Sequence, residues 1–253
     1  RKLSRLKYTL DNMGVEAFKA ELEKRCGFSL EPERPYQFTS RTAFYGWHQN
    51  HEGKWYYTAF VENGRVVDDE QHALKTAFLE IAQLRKTNFR FTCNQNIIVA
   101  DVTDEDKSEI HAILDKYGVV ESTERSTPLR RESIACVAFN TCALALAEAQ
   151  RYLPGLISKI EPLLDKYGLQ DDNISMRMTG CPNGCARPYA AEIAFIGTAY
   201  GYYNLQIGGD RTGTRLNKLY KESLNEEGII QELDGLFKIY SGKREAGETF
   251  GDF

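Results

Sequence analysis

The sequence predicts an α+β fold in two parts, and three observations carry that expectation. Short strand-like runs alternate with amphipathic helical stretches over roughly the first half. A polar stretch from Glu121 to Glu132 interrupts that pattern and marks a boundary. Beyond it, helical and extended segments surround a loop with two closely spaced cysteines, Cys181 and Cys185.

The elements follow in order. Val15, Phe18 and Leu22 recur at helical spacing between Asp11 and Cys26, with Asp11 or Asn12 as a cap and Gly27 as a stop. Trp55 to Val61 reads as a strand, and Arg65 to Val67 as its hairpin partner across Asn63-Gly64. Gln71 to Arg85 forms a helix with Leu74, Phe78, Ile81 and Leu84 on one face. Extended segments at Asn88–Thr92 and Asn96–Val102 flank Cys93-Asn94-Gln95, and a helix from Asp104 to Tyr117 stops at Gly118. The second part should hold helices from Cys142 to about Tyr152 and from Leu156 to Tyr167, then a strand from Ile174 to Met178. Strands at Glu192–Gly197 and Tyr202–Ile207, a Gly208-Gly209 turn, and helices near Arg215–Leu224 and Gly228–Ser241 complete the reading.

Composition narrows the function classes. With 253 residues, 42% of them hydrophobic, the chain can build a sizeable core. Its 14 Tyr, 13 Phe and 2 Trp exclude a disordered chain, and 20 Gly with 7 Pro exclude a collagenous one. A formal charge of −4 weighs against nucleic acid as a partner. No apolar run approaches the roughly 18 residues that span a bilayer, so no membrane is expected. No signal-peptide pattern opens the chain, and a reducing, cytoplasmic setting is the expectation. The chain begins on Arg1 and ends on Gly251-Asp252-Phe253, which reads as a piece of something longer.

Six cysteines are present: Cys26, Cys93, Cys136, Cys142, Cys181 and Cys185. They are too sparse for a disulfide-stapled scaffold. The last four are spaced Cys136-x5-Cys142 and Cys181-x3-Cys185, a set of thiolates that suits structural zinc or an iron–sulfur cluster. The five-residue gap is wide for a zinc knuckle and favours the cluster. The plain alternative is that they are buried free thiols acting as small hydrophobes. Their arrangement in two pairs beside turn residues weighs against that. In Thr179-Gly180-Cys181-Pro182-Asn183-Gly184-Cys185, the two glycines let the backbone turn tightly, and amide N–H groups there can point at sulfur.

This loop, its continuation Ala186-Arg187-Pro188 and the preceding Cys136-Val-Ala-Phe-Asn-Thr-Cys142 closely resemble the siroheme-dependent sulfite and nitrite reductases, on the side of the sulfite reductase hemoproteins. The likeness extends through Lys7-Tyr-Thr-Leu10, Asn94-Gln-Asn96, Leu205-Gln-Ile-Gly-Gly209 and Lys243-Arg-Glu-Ala-Gly247. Gly184 and Arg187 resemble the sulfite branch more than the nitrite branch. The resemblance implies that Cys136, Cys142, Cys181 and Cys185 hold a 4Fe–4S cluster and that the Cys185 sulfur is also the axial ligand of siroheme. It implies six-electron reduction of sulfite to sulfide, fed by an NADPH-dependent flavoprotein subunit or by a ferredoxin. It covers only the family's C-terminal half, so the N-terminal half of the same hemoprotein is an implied partner. The stretch that carries most of the family's substrate-facing Arg and Lys has no counterpart here, and no catalytic acid is assigned. The implied fold is α+β: residues 1–39 belong with the missing half, 40–122 form half of a ferredoxin-like sheet layer, and 123–253 form an α/β siroheme and cluster domain.

Other residues carry weaker signals. Asn94, Gln95 and Asn96 lie where the family brings a segment near siroheme, or else form a polar turn. Asn183 sits inside the cluster loop, as a cofactor contact or as an Asx turn. Arg130 and its neighbour Arg131 are candidates for siroheme carboxylates, against the simpler view of two solvated arginines in a polar linker. Thr212 to Arg215 follow a glycine turn into an expected helix, a weak anion site. Cys26 and Cys93 read as structural. His48 and His51 share a polar loop without a third ligand, so a metal role is improbable. The basic start (Arg1, Lys2, Arg5, Lys7) reads as a solvated helix approach. The competing functions are a siroheme nitrite reductase and a non-enzymatic iron–sulfur or zinc module.

Overall fold

A computed structural model of the chain describes residues 6–38 and 42–253. It divides into two compact units, residues 1–38 and 39–253. In the first, α1 spans Leu6–Met13 and α2 spans Val15–Cys26. The single helix expected from Asp11 is therefore two, because Gly14 takes φ 80°, a conformation no helix continues through. Gly27 stops α2 in the left-handed region, its N–H bonded to the Glu23 carbonyl. Neither helix buries a residue. Arg1, Lys2 and Arg5 lie outside the described residues.

The second unit starts with β1 (Gly46–Gln49), β2 (Trp55–Ala59), α3 (Leu74–Leu84), β3 (Asn88–Phe91), β4 (Ile97–Val102) and α4 (Asp104–Lys116). The strands form an antiparallel sheet in the order β1-β2-β4-β3. Tyr57, Ala59, Ile97, Val99 and Val102 pack against Ala77, Phe78 and Ile81 of α3 and Ile110 and Leu114 of α4. Both helices thus cover the sheet with the faces their periodicity marks. Thr103 caps α4 by accepting the Asp106 N–H, and three acidic residues fill its first turn.

Two expectations fail in this layer. Asn63-Gly64 does not close a hairpin: Glu62–Gly64 is a 3₁₀ turn, and β2 pairs with β1 and β4. Asn63 is 3% exposed, its Nδ2 donating to the Gln150 carbonyl at 3.3 Å, so a contact 87 residues away claims the turn. His48 lies on β1 rather than in a loop, its Nε2 3.0 Å from the Tyr45 carbonyl.

The chain continues through α5 (Val119–Arg125), α6 (Pro128–Arg131), β5 (Ser133–Ala135), α7 (Leu153–Tyr167), β6 (Met176–Thr179), β7 (Ile193–Ala199), β8 (Tyr202–Ile207), β9 (Lys218–Leu224) and α8 (Glu226–Lys243). The boundary stretch is therefore largely helical. Strands β5 to β9 form one sheet in sequence order, parallel through β5-β6-β7 and antiparallel thereafter. One face packs Met176, Met178, Ile193, Phe195 and Leu205 against Leu156, Ile160 and Leu164 of α7 and Ile229, Leu233 and Phe237 of α8. Every residue of β6 is buried, as a central parallel strand requires.

Two expected helices are absent. Cys142 to Tyr152 is a chain of turns, and Arg215 to Leu224 contains β9 instead. Leu216, Leu219, Tyr220 and Leu224 recur at helical spacing, yet pairing with β8 takes that segment. Lys218 and Lys221 lie on this exposed edge strand, where charge discourages further pairing.

Tyr45 ties the two layers together. Its hydroxyl donates to the Arg131 carbonyl at 3.2 Å and accepts from Asn96 Nδ2 at 3.1 Å. Burial pushes its pKa up to about 12 from the ordinary 10.0. Burial raises Tyr203 in the same direction. A folded pKa above the unfolded one stabilises fully below about pH 10 and is lost as pH rises through the folded value. The urea midpoint should therefore fall between about pH 10 and 12, and Tyr45→Phe should make that fall shallower. An unchanged slope would remove Tyr45 from the titration.

Candidate functional site

Because β5 and β6 run parallel, their C-terminal ends open at the same edge of the sheet. Cys136 directly follows β5, and Cys181 comes two residues after β6. Cys142 and Cys185 lie further along the same two loops. Cys181 is buried, Cys136 and Cys142 are half-buried, and Cys185 is exposed.

The loops are interlocked through their backbones. Leu146 and Ala147 N–H groups donate to the Gly180 carbonyl at 2.7 and 3.0 Å, and the Gln150 N–H donates to the Cys136 carbonyl at 3.0 Å. Gly180 N–H in turn donates to Cys136 Sγ at 3.2 Å, and the Thr179 hydroxyl approaches the same sulfur at 3.5 Å. A Cβ on Gly180 would stand 2.6 Å from the Ala147 carbonyl oxygen, so only glycine allows this approach. These bonds go with the absence of a helix at Cys142–Tyr152: the Leu146 and Ala147 N–H groups are taken by the other loop and that of Gln150 by Cys136.

The second loop is shaped by its own turns. Gly184 has φ 72°, and its carbonyl accepts the Arg187 N–H at 2.9 Å. Asn217 props the following turn, donating to the Pro188 and Ala191 carbonyls at 2.8 and 2.9 Å. Asn183, at the tip, is exposed. Among the described residues, no three or more His, Cys, Asp or Glu side chains are gathered as a metal-ion site. What the fold gathers is the pair of loops.

The Asn94-Gln95-Asn96 turn meets both loops. Gln95 reads the main chain of Ala135, donating from Nε2 to its carbonyl at 2.8 Å and accepting its N–H at 3.3 Å. Arg187 Nη2 donates to the Cys93 carbonyl at 2.6 Å and to Asn94 Oδ1 at 3.2 Å. Asn96 is buried and accepts the Val61 N–H. The turn therefore touches the residue before Cys136 and the residue two after Cys185.

Other expected site residues are placed elsewhere. Arg130 precedes β5, whereas the cysteines follow it. Its guanidinium is held by Glu161 at 2.9 Å, Glu62 at 2.5 Å and Ser158 at 2.7 Å, so its carboxylate partners are the protein's own. Arg131 is not a solvated linker residue either: it donates to Ser126 Oγ and the Thr123 carbonyl. The Thr212–Arg215 turn enters no helix and encloses an anion already present, the Asp210 carboxylate, which accepts from Thr212, Thr214 and the Arg215 N–H. Burial works against ionisation of Asp210, yet these donors outweigh it and hold its pKa well below the usual range. Cys26 ends α2, and Cys93 sits in the β3–β4 turn. Sequence reasoning missed Gln150 and Arg177, and read Asn63 only as part of a hairpin turn. Only Arg177 left a signal, as an arginine inside the apolar run Ile174–Met178.

Residues 48–117 match the family model described as "Nitrite/Sulfite reductase ferredoxin-like half domain". Over these residues the chain is similar to that half domain, and longer likenesses run beyond it. The chain is 59% identical over all 253 residues to the "Sulfite reductase [NADPH] hemoprotein beta-component" of Leptospira biflexa, covering 46% of that protein. The protein of the same name from Geobacillus thermodenitrificans is 51% identical over 253 residues, with 44% of it covered. The chain thus spans about half the length of these relatives. The solved structure of the Mycobacterium tuberculosis NirA protein superposes on 98% of this chain and 46% of its own, with a TM-score of 0.78 and 23% identity. That likeness concerns the fold.

The interlocked loops make a mutational test direct. Gly180→Ala should cost about 1–3 kcal/mol by urea unfolding, since the Ala147 carbonyl must move. Gly155→Ala, where a Cβ meets nothing within 4 Å, should be neutral or slightly stabilising. Equal costs would contradict the close approach at Gly180.

Proposed function

We propose that this chain is the cysteine-bearing, C-terminal half of a sulfite reductase hemoprotein, with Cys136, Cys142, Cys181 and Cys185 as ligands of a 4Fe–4S cluster. On this reading the Cys185 sulfur would also bind the siroheme iron. The observation that carries it is 59% identity across all 253 residues to a protein named as a sulfite reductase hemoprotein. The residues fit the group in donor chemistry: the four cysteines are free thiols carried on two interlocked loops. Cys136 Sγ accepts an amide N–H and a hydroxyl, the donors a cluster thiolate takes. Cys185, exposed where Cys181 is buried, is the thiol left open to a second metal centre.

Together, the bound cofactors would supply the six-electron reduction of sulfite to sulfide. The chain's part is positional and electrostatic. Gly180 and Thr179 donate to sulfur, burial keeps water from Cys181, and the interlocked loops hold the thiols on one rigid sheet edge. The groups that bind sulfite and deliver protons are assigned to the other half of the hemoprotein. NADPH in the relatives' name supports a flavoprotein subunit using that nucleotide as the electron donor, with a ferredoxin as the other donor. Free thiols go with a reducing, cytoplasmic setting. Among the described residues, no helix is long and apolar enough to cross a membrane.

Iron and siroheme content per chain tests the ligand set. Serine at Cys136, Cys142, Cys181 or Cys185 should each sharply lower bound iron, and Cys185→Ser should also abolish heme–cluster coupling. Cys26→Ser and Cys93→Ser should leave both contents unchanged. Equal loss in all six variants would refute the assignment. Steady-state turnover by the complete hemoprotein should favour sulfite over nitrite; a clear preference for nitrite would move the reading to a siroheme nitrite reductase.

A further inference from the structure

The strand that leads into the second cysteine loop carries a buried charge. Arg177 is 3% exposed and stands between Met176 and Met178, both in the apolar core. Strand alternation turns Arg177 to the opposite face, beside Thr179, whose hydroxyl lies 3.5 Å from Cys136 Sγ. Burying a guanidinium is unfavourable unless it is paired and hydrogen-bonded, so the position calls for a role. Arg177 Nη1 donates to the Arg187 carbonyl at 3.0 Å. Arg187 has φ 56°, a conformation a side chain adopts only when its surroundings impose it, and it lies two residues past Cys185. The Arg187 side chain reaches the other way, to the Cys93 carbonyl and Asn94 Oδ1. Two arginines in series thus link the middle of the second sheet, through the second cysteine loop, to the β3–β4 turn of the first.

We propose that Arg177 is a positioning residue of the Cys181–Cys185 loop. It is the buried end of an Arg177–Arg187–Asn94 relay and a fixed positive charge beside the thiolates. The charge part rests on the reading of these cysteines as cluster ligands; the relay part does not. Glu192 is the acidic residue on the same face. Its carboxylate accepts from the Ser175 N–H at 2.8 Å and the Gly251 N–H at 3.1 Å. Ser175 lies two residues further from the cysteine loop than Arg177, so the positive member of the two is the nearer to that loop along the strand. A cation there favours the more reduced, more negative state of whatever the thiolates hold.

The test uses Arg177→Met and Arg177→Lys in the cofactor-loaded holoprotein. Amide hydrogen exchange, which needs no cofactor signal, should rise about tenfold over 182–190 and over 92–96 in Arg177→Met. The cluster midpoint potential, read by EPR-monitored titration, should shift lower in that variant. Arg177→Lys keeps the charge but loses the planar donor, so it should loosen the loop while leaving the potential close to wild type. Unchanged exchange in both variants overturns the relay, and an unchanged potential in Arg177→Met overturns the charge role. If Arg177→Met does not fold, Arg187→Ala cuts the relay at its exposed end. Exchange over 92–96 should then rise about tenfold, and no rise overturns the proposal. A wild-type holoprotein without a cluster signal overturns the ligand reading and the charge role together, and the exchange experiment then decides the relay alone.

Discussion

The carbonyl of Gly180 accepts two N–H groups from the first cysteine loop, Leu146 and Ala147, while its own N–H points at the sulfur of Cys136. One residue of the second loop therefore makes three bonds to the first, and the absence of a side chain is what lets it do so. Gly197, on the neighbouring strand, clears room from the other side: a Cβ there would meet Ala147 Cβ at 2.6 Å. The two cysteine loops, whose thiols are separated by up to 49 positions in sequence, lie together because this approach closes over the parallel β5–β6 pair.

The two sheets are held by directional bonds as much as by apolar contact. Asn63 and Gln150 exchange amide–carbonyl bonds at 3.3 and 2.8 Å, and Gln95 reads the backbone of Ala135. Tyr45 joins Arg131 and Asn96, and Arg187 reaches Cys93 and Asn94. Each is a polar group taken from water, stabilising only when its geometry is satisfied. Such bonds specify one arrangement of the layers, whereas a greasy interface would tolerate several. Most of them end within two residues of a proposed ligand or on the segment carrying one, so the packing of the layers and the shape of the cysteine site are one problem.

Helices with a clear apolar face were legible. The faces of α3 and α4 bury the leucine, phenylalanine and isoleucine positions that their periodicity marks, and Gly118 and Gly168 stop their helices in the left-handed region. Strands with β-branched runs were legible too. The failures share a cause. Asn63-Gly64, Cys142–Tyr152 and Arg215–Leu224 each have a strong local preference, and each is claimed by a partner distant in sequence: Gln150, Gly180 and β8. Arg130 looked available for a ligand because its acceptors, Glu62 and Glu161, are 68 and 31 positions away.

By itself, the sequence determined the class of the fold and the two cysteine-bearing loops on which the proposed donor set rests, because helical period, strand alternation and cysteine spacing are local quantities. Only the tertiary structure decided that the two loops are bonded to each other, that Arg130 belongs to a protein ion pair and that Arg177 lies buried beneath the second loop. Those outcomes depend on which backbone groups remain unpaired after the sheet has formed. Long-range pairing settles that question, and no window of neighbouring residues contains it.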